Sequence, residues 1–579
     1  MAVIALKPPR RWLTASAIAV LTMYAALALP FGSVLAQQQA SPPPLDVTLA
    51  PEGSGAAERM DVIMRIPAPM LGAGKPLLRM PLLLAGTPTA RYEASAIQAT
   101  DDKGPLSLSQ IDEAPGLSGT YRNYVIDRAT VGDVTIRYGT PPRPVSAETR
   151  NGPLFDLRGE AGGLIGSGVY FFALPVGTGP YAIHLNWDLT RLPAGSRGIS
   201  SQGEGERYWI APAETLAYSF YATGPVQSDP ADGKGDFAFY WLSKPPFDPV
   251  TLSARTKRLY EAMGRFFGDT KSSYFVFARA NPYPSGGGTS LAHSFMFGYG
   301  TNGATISAGS DMLIAHEMVH TWPKIDGDHP LTAWYTEGTA EYYSVLLSLR
   351  AGTIDLQRFL ALVNDKATAY YTGPFLRLSN EEAGKKFWND ARAQRVPYGR
   401  GFMYFAKLDG QIRAKFSGKQ SVDDLVLEVL RRQRAGQSVG LSEWRQLVVE
   451  KLGPDAGVEF DDMTAGKIVI PPATSFGPCF KLFKTQSRPF DLGFDEMRLG
   501  VVKDLRPGSA AAQAGAREGD TIVSMTPLSE VRDKPDAEIT LTVRRGEQIL
   551  PVRYLPRGTT VENWQWRRVA GVPDSRCRL

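Results

Sequence analysis

Apolar residues recur along this chain with two different periods, and the change between them divides it. Over roughly residues 45–245, short apolar runs broken by Gly and Pro predict strands. Within 181–189, Ile183, Leu185, Trp187 and Leu189 alternate with His184, Asn186 and Asp188. That is the period of a half-buried strand, and it puts His184 on the solvated face. Val134, Ile136 and Tyr138 repeat the pattern. From about Phe247 the spacing lengthens toward about 3.6 residues and predicts helices over 251–267, 311–322, 333–349, 400–416 and 421–434, with a short strand at 274–278. Ser421 and Asp424 form a capping-box pair at the start of the last helix. From about Phe476 strands and turns return. The expectation is a multidomain α+β chain of about three domains: a β-rich region at 37–245, a mainly helical region at 246–474 and a β region at 475–579.

Residues 1–36 stand apart. A basic start with Lys7, Arg10 and Arg11 leads into an apolar run from Trp12 to Leu29, and the small residues Val34 and Ala36 precede Gln37. This is the layout of a secretory signal, with Sec export the default despite the Arg10-Arg11 pair. An exported protein, periplasmic or secreted, is expected, with no membrane span beyond that segment. The formal charge of +5 nearly vanishes without it, leaving 60 basic against 58 acidic residues, so charge gives no argument for nucleic acid. Cys479 and Cys577 are the only cysteines. Zinc held by thiolates is thereby excluded, and an oxidising compartment favours their pairing.

The most informative segment is Ala315-His316-Glu317-Met318-Val319-His320. On a helix, residues four apart share a face, so two imidazoles can grip one cation while Glu317 points beside it. Zinc takes such ligands in a tetrahedron with one place left for water, and Glu317 is placed to take that water's proton and pass it to the leaving amine. Pro323 and Asp326 stand where a metzincin continuation needs Gly and His. Downstream, Trp334-Tyr335-Thr336-Glu337-Gly338-Thr339-Ala340-Glu341 puts two carboxylates on one face of another amphipathic helix. Glu337 is read as the third ligand of a single Zn2+ ion, and Glu341 as the group that orients a ligand imidazole. Asp326, Asp328 and His329 lie in a polar loop and are weaker ligand candidates.

These residues resemble the gluzincin peptidases, and especially the glycyl aminopeptidase family. The resemblance implies a β-rich N-terminal domain, a thermolysin-like catalytic domain and a C-terminal PDZ domain. Val396-Pro397-Tyr398-Gly399-Arg400-Gly401 is similar to an element of related aminopeptidases whose tyrosine donates a hydrogen bond to the tetrahedral oxyanion, which implies that role for Tyr398. The PDZ-like pattern rests on Leu492-Gly493-Phe494, Leu505 to Gly515 and Glu518-Gly519-Asp520. Such modules bind an extended peptide at a sheet edge. Here Pro527 and Pro535 fall between Met525 and Ile539, which shortens the groove helix.

The resembling aminopeptidases carry a glutamate on a Gly-rich edge strand to capture the substrate's free amine. The stretch in this chain, Ser285 to Ser294, contains no acid. Gly287, Gly288 and Thr289 can still let an extended substrate approach the backbone, while His293 is read as packed or solvated. The expected function is zinc-dependent peptide hydrolysis, as an aminopeptidase on short or unfolded peptides. The alternatives are an endopeptidase, or a vestigial enzyme working through its PDZ-like module. Expected partners are peptide substrates and a peptide or protein ligand of that module.

Overall fold

Alternate side chains of a strand point to opposite faces, so each period-two stretch can bury one side against a second layer. In the computed structural model this happens in a seven-stranded sheet ordered Arg207–Pro212, Pro180–Trp187, Pro44–Glu52, Arg59–Ile66, Val134–Thr140, Gln98–Asp101, Gly104–Pro105. Val47, Leu49, Val62, Met64, Ile136 and Ile183 from this sheet share one buried core with Leu78, Met80 and Tyr124 of a second sheet built on Pro76–Leu84 and Gly119–Ile126. His184 faces outward, where Glu206 Oε1 meets its Nε2 at 2.6 Å and its ring stacks on Tyr208 at 4.2 Å. The structure describes residues 41–579 except 54, 117–118, 147–148, 150–151, 178, 283–286, 301–309, 533 and 578. The signal segment read at 1–36 lies outside them. Among the described residues, no helix is long and apolar enough to cross a membrane.

A further five-stranded sheet leads into the helical region, ordered Gln227–Asp229, Phe237–Trp241, Tyr274–Ala280, Ser294–Tyr299 (β2) and Gly287–Leu291 (β1). This sheet straddles position 245. Among the described residues, strand β1 is its edge and pairs with β2 alone, antiparallel from Gly287 opposite Gly298 to Leu291 opposite Ser294. The sheet is fastened to the preceding β region by a buried charge cluster. Asp156 takes 2.9 Å and 2.6 Å contacts from Arg158 Nε and Arg279 Nη2, with Arg279 fully buried.

Four helices carry the site: α1 (Ser310–Val319), α2 (His329–Arg350), α3 (Leu356–Tyr371) and α4 (Ala391–Lys415). Helix α2 starts earlier than the periodicity alone predicts because Pro330 sits in its first turn, where a missing N–H costs nothing. Helix α3 is capped by Asp355, whose carboxylate accepts from the Arg358 N–H at 2.7 Å. Helix α4 departs most from expectation. Pro397 reads as a barrier and suggests a start at Arg400, yet Asp390 caps a helix that begins at Ala391 and carries Pro397 and Tyr398 inside it. The cap and the buried packing of Val396, Phe402 and Phe405 outweigh the one backbone hydrogen bond that proline removes.

Residues 475–579 divide between two cores. Phe480–Ser487 and Val561–Arg568 pair as a ribbon, and Phe480, Leu482 and Trp566 join the core of the helical region. The Trp566 N–H donates to the side-chain Oδ1 of Asn364 in α3 at 2.7 Å, and the Asn364 Nδ2 donates back to the Trp566 carbonyl at 2.9 Å. Cys479 and Cys577 form a disulfide with their Cα atoms 5.4 Å apart. The rest is a module with its own core around Leu492, Phe494, Leu541 and Val552 and a three-stranded sheet, Thr521–Met525, Ile539–Arg545 and Gln548–Tyr554. Between its first two strands the described residues make only the single-turn helix Leu528–Val531, as the two prolines imply.

Candidate metal centre and active-site cleft

Helix α1 is buried along Ala315, Met318 and Val319, which turns His316 and His320 toward α2. Their Nε2 atoms stand 3.2 Å apart. Glu337 Oε2 lies 3.2 Å from His316 Nε2 and 3.4 Å from His320 Nε2. Three donor atoms thus form a nearly equilateral triangle. Ligands bonded to tetrahedral zinc at about 2.0–2.1 Å stand about 3.3–3.4 Å apart, so the spacing and the donor set fit that ion. Among the described residues this trio is the metal-competent cluster of His, Cys, Asp and Glu.

The surrounding charges are arranged around a cation. His316 Nδ1 meets Glu341 Oε1 at 3.0 Å, and Lys366 of α3 pairs with Glu341. Burial opposes charge on His316, but hydrogen bonds and charges from Glu337 and Glu341 overcome it and raise its pKa to about 10. Burial likewise opposes ionisation of Glu341, and Lys366 and His316 prevail, holding its pKa at about 2. Glu337 stays ionised well below the usual carboxylate range against the same penalty, through His320, His316 and His329. This field, which draws a proton onto His316, equally favours a divalent ion there.

Two glycines bring α2 and α4 together. A Cβ added to Gly338 would lie 2.5 Å from the Cα of Gly401, and one added to Gly401 would lie 2.1 Å from the carbonyl oxygen of Trp334. Only glycine permits that backbone contact, and its consequence is the position of Tyr398. The Tyr398 ring stacks on His316 at 5.6 Å with a 6° interplanar angle. Burial, together with the nearby Glu337, Glu317 and Glu341 charges, raises the pKa of its hydroxyl well above that of free tyrosine. It is therefore a protonated donor at any ordinary pH.

The trio opens onto a cleft of about 800 Å³, lined among others by Gly287, Gly288, Thr289, Glu317, His320, Glu337 and Tyr398. Glu317 faces the cleft beside its histidine neighbours, and its carbonyl accepts from Ser290 Oγ at 2.6 Å, tying strand β1 to helix α1. Thr289 is buried, with its hydroxyl accepting from the Leu154 N–H at 2.7 Å. The strand's hydroxyls thus serve the scaffold, and what it offers the cleft is backbone.

His329, a weak ligand candidate by sequence, lies beside the centre with Nε2 at 3.9 Å from Glu337 Oε1 and its ring stacked on Trp388 at 5.5 Å. Asp326 is turned away and accepts from Ser438 Oγ and the Val439 N–H at 2.6 and 2.9 Å. Asp328 precedes α2 without a side-chain cap bond. His293 lines the cleft from a turn with φ of +51°, and burial lowers its pKa. Sequence reasoning did not single out Lys366, Trp388 or Met497, none of which belongs to a recognisable spacing, and it reached Ser290 only as a member of the Gly-rich stretch.

No family model matches the chain, and no curated protein matches it either. Solved structures do. An aminopeptidase N family protein from Idiomarina loihiensis superposes with a TM-score of 0.63 at 14% identity, over 92% of this chain and 99% of that one. An M1 zinc metallopeptidase from Deinococcus radiodurans gives 0.47 at 16% identity, over 74% of this chain and 95% of that one. The first likeness establishes that this chain has the multidomain fold of that protein, with its β-rich N-terminal region and helical middle.

Proposed function

We propose that the protein hydrolyses peptide bonds with one zinc ion held by His316, His320 and Glu337, acting as an aminopeptidase on short or unfolded peptides. The observation that carries this reading is the triangle of donor atoms with edges of 3.2, 3.2 and 3.4 Å beside Glu317 and Tyr398. Zinc supplies Lewis-acid polarisation of the scissile carbonyl and of water. Glu317 removes the proton from the attacking water and delivers it to the leaving amine. Tyr398 donates its hydroxyl to the oxyanion of the tetrahedral species, a charge that exists only on the way across the barrier. Glu341, fixed by Lys366, holds the His316 ring in register. The free edge of β1 receives the extended peptide by backbone pairing.

The aminopeptidase assignment draws support from the likeness to the aminopeptidase N family protein from Idiomarina loihiensis. Endopeptidase action is the second reading, favoured by two observations: β1 carries no acid for a free amine, and the cation Lys324 is among the residues lining the cleft. Comparing N-blocked with free-amine peptides separates the two, since efficient cleavage of the blocked series removes the aminopeptidase reading. Export through the 1–36 segment completes the proposal, supported by the Cys479–Cys577 disulfide, which suits an oxidising compartment. The C-terminal region, 475–579, is read as a PDZ-like domain and tail.

A further inference from the structure

We propose that the C-terminal module is a working wall of the cleft, with Met497 forming the side of the substrate site next to Tyr398 and buried Glu496 holding it there. The cleft is lined by Met497 together with Gln394 and Tyr398. Those two residues of α4 are four apart and so share one helix face. Between them Arg395 reaches Glu496, whose side chain is only 10% exposed and also accepts from Arg532 Nη2 of the module at 2.8 Å. Burial penalises the Glu496 carboxylate, yet the two guanidinium groups keep its pKa below the usual value. Phe490 adds a cushion: the Arg395, Arg532 and Arg557 guanidiniums lie 6.0, 5.2 and 5.4 Å from its ring centroid.

A carboxylate held between one arginine from each region is a docking contact that fails if the module moves, because Arg395 then loses its counter-charge and Glu496 keeps only Arg532 of its own module. The other end of the module is anchored by the ribbon on α3 and by the disulfide. The module is therefore seated rather than tethered, and its seated position delivers an apolar, flexible side chain to the cleft. A thioether chain adapts to irregular apolar shapes, so the subsite suits a bulky apolar residue of the peptide. This specificity rests on the hydrolase reading, whereas the position of the wall does not.

Two measurements keep those apart. Cys479 and Cys577 are bonded to each other, so Met497→Cys creates a single thiol for a small fluorophore. Cu2+ added to the labelled protein should quench it at one equivalent, the quenching should vanish with His320→Ala, and Glu496→Gln should weaken it while the melting transition stays cooperative. Quenching indifferent to His320, or none at all while metal analysis finds one His320-dependent Cu2+ per chain, overturns the wall. On a peptide panel, Met497→Ala should lower kcat/KM for bulky apolar residues relative to Gly and Ala by roughly tenfold, chiefly through KM and at unchanged zinc content. An unchanged profile overturns the subsite. If the wild-type protein cleaves no peptide, the hydrolase reading falls, and with it the subsite, while the quenching result still decides the wall.

Discussion

Helix α1 and strand β1 meet at the same cleft, joined by the Ser290–Glu317 hydrogen bond, but they face it with different means. The helix presents side chains whose charges are committed in advance: His316 to Glu341, Glu341 to Lys366, and both histidines to Glu337. The strand presents backbone, and its hydroxyls are turned to Leu154 and to α1. Under the proposed function, chemistry that must be the same at every turnover falls where buried partners fix each atom. Recognition of variable sequence, on the same proposal, falls to the strand, where only the peptide unit is read.

Altering the helix wall should therefore abolish reaction, and altering the strand wall should only retune it. The largest effect is expected for His320→Ala, which removes one corner of the donor triangle: zinc content measured by atomic emission should fall from one per chain toward none, and peptidase activity with it. Glu317→Gln should keep its zinc yet lower kcat by roughly 10²–10⁴-fold, because only the proton carrier is lost. Stopped assays at saturating peptide measure this, and a smaller loss would point to another base. Tyr398→Phe is expected to cost about 10²–10³ in kcat, with KM little changed.

The scaffold under the strand wall can be tested by stability. Asp156→Asn leaves Arg279 buried without its counter-charge and should destabilise the fold by about 3–5 kcal/mol, read from urea denaturation. Burial resists the Asp156 charge, but Arg279 and Arg158 hold its pKa well below the usual carboxylate value. A depressed folded-state pKa gives stability that is complete above the unfolded value, about 3.9, and is lost as pH falls through the folded one. The wild-type advantage over the Asn variant should accordingly persist at pH 7 and shrink in strong acid. The smallest effect belongs to Gly288→Ala, whose Cβ would fall 2.3 Å from the Phe295 ring. That ring must shift, so KM should rise by a factor of roughly ten or less with zinc and kcat preserved. A large fall in kcat would mean that the strand does more than bind.

How much of this was legible follows the same division. His316, Glu317, His320 and Glu337 could be read because helical periodicity fixes which residues share a face and few residue types serve a metal. The two-cysteine count pointed to the disulfide for a similarly local reason. Gly338 and Gly401 could be noticed only as members of short patterns, since their partner is each other across two helices. The early start of α4 was hidden because Pro397 is locally a breaker, and tertiary packing overrode it. Lys366 and Met497 were invisible because their roles depend on which remote segment they meet, and nothing in their neighbours encodes that meeting. The sheet crossing position 245 was missed for a related reason: strands Phe237–Trp241 and Tyr274–Ala280 are parallel partners separated by a helix.

The most direct test is X-ray absorption at the zinc edge on the purified wild-type protein beside Glu337→Ala. One tightly held zinc per chain, with two imidazole nitrogens and a carboxylate oxygen in the wild type and that oxygen missing from the variant, is the expected result. A wild-type protein that binds no zinc, or a variant whose zinc environment is unchanged, would contradict it.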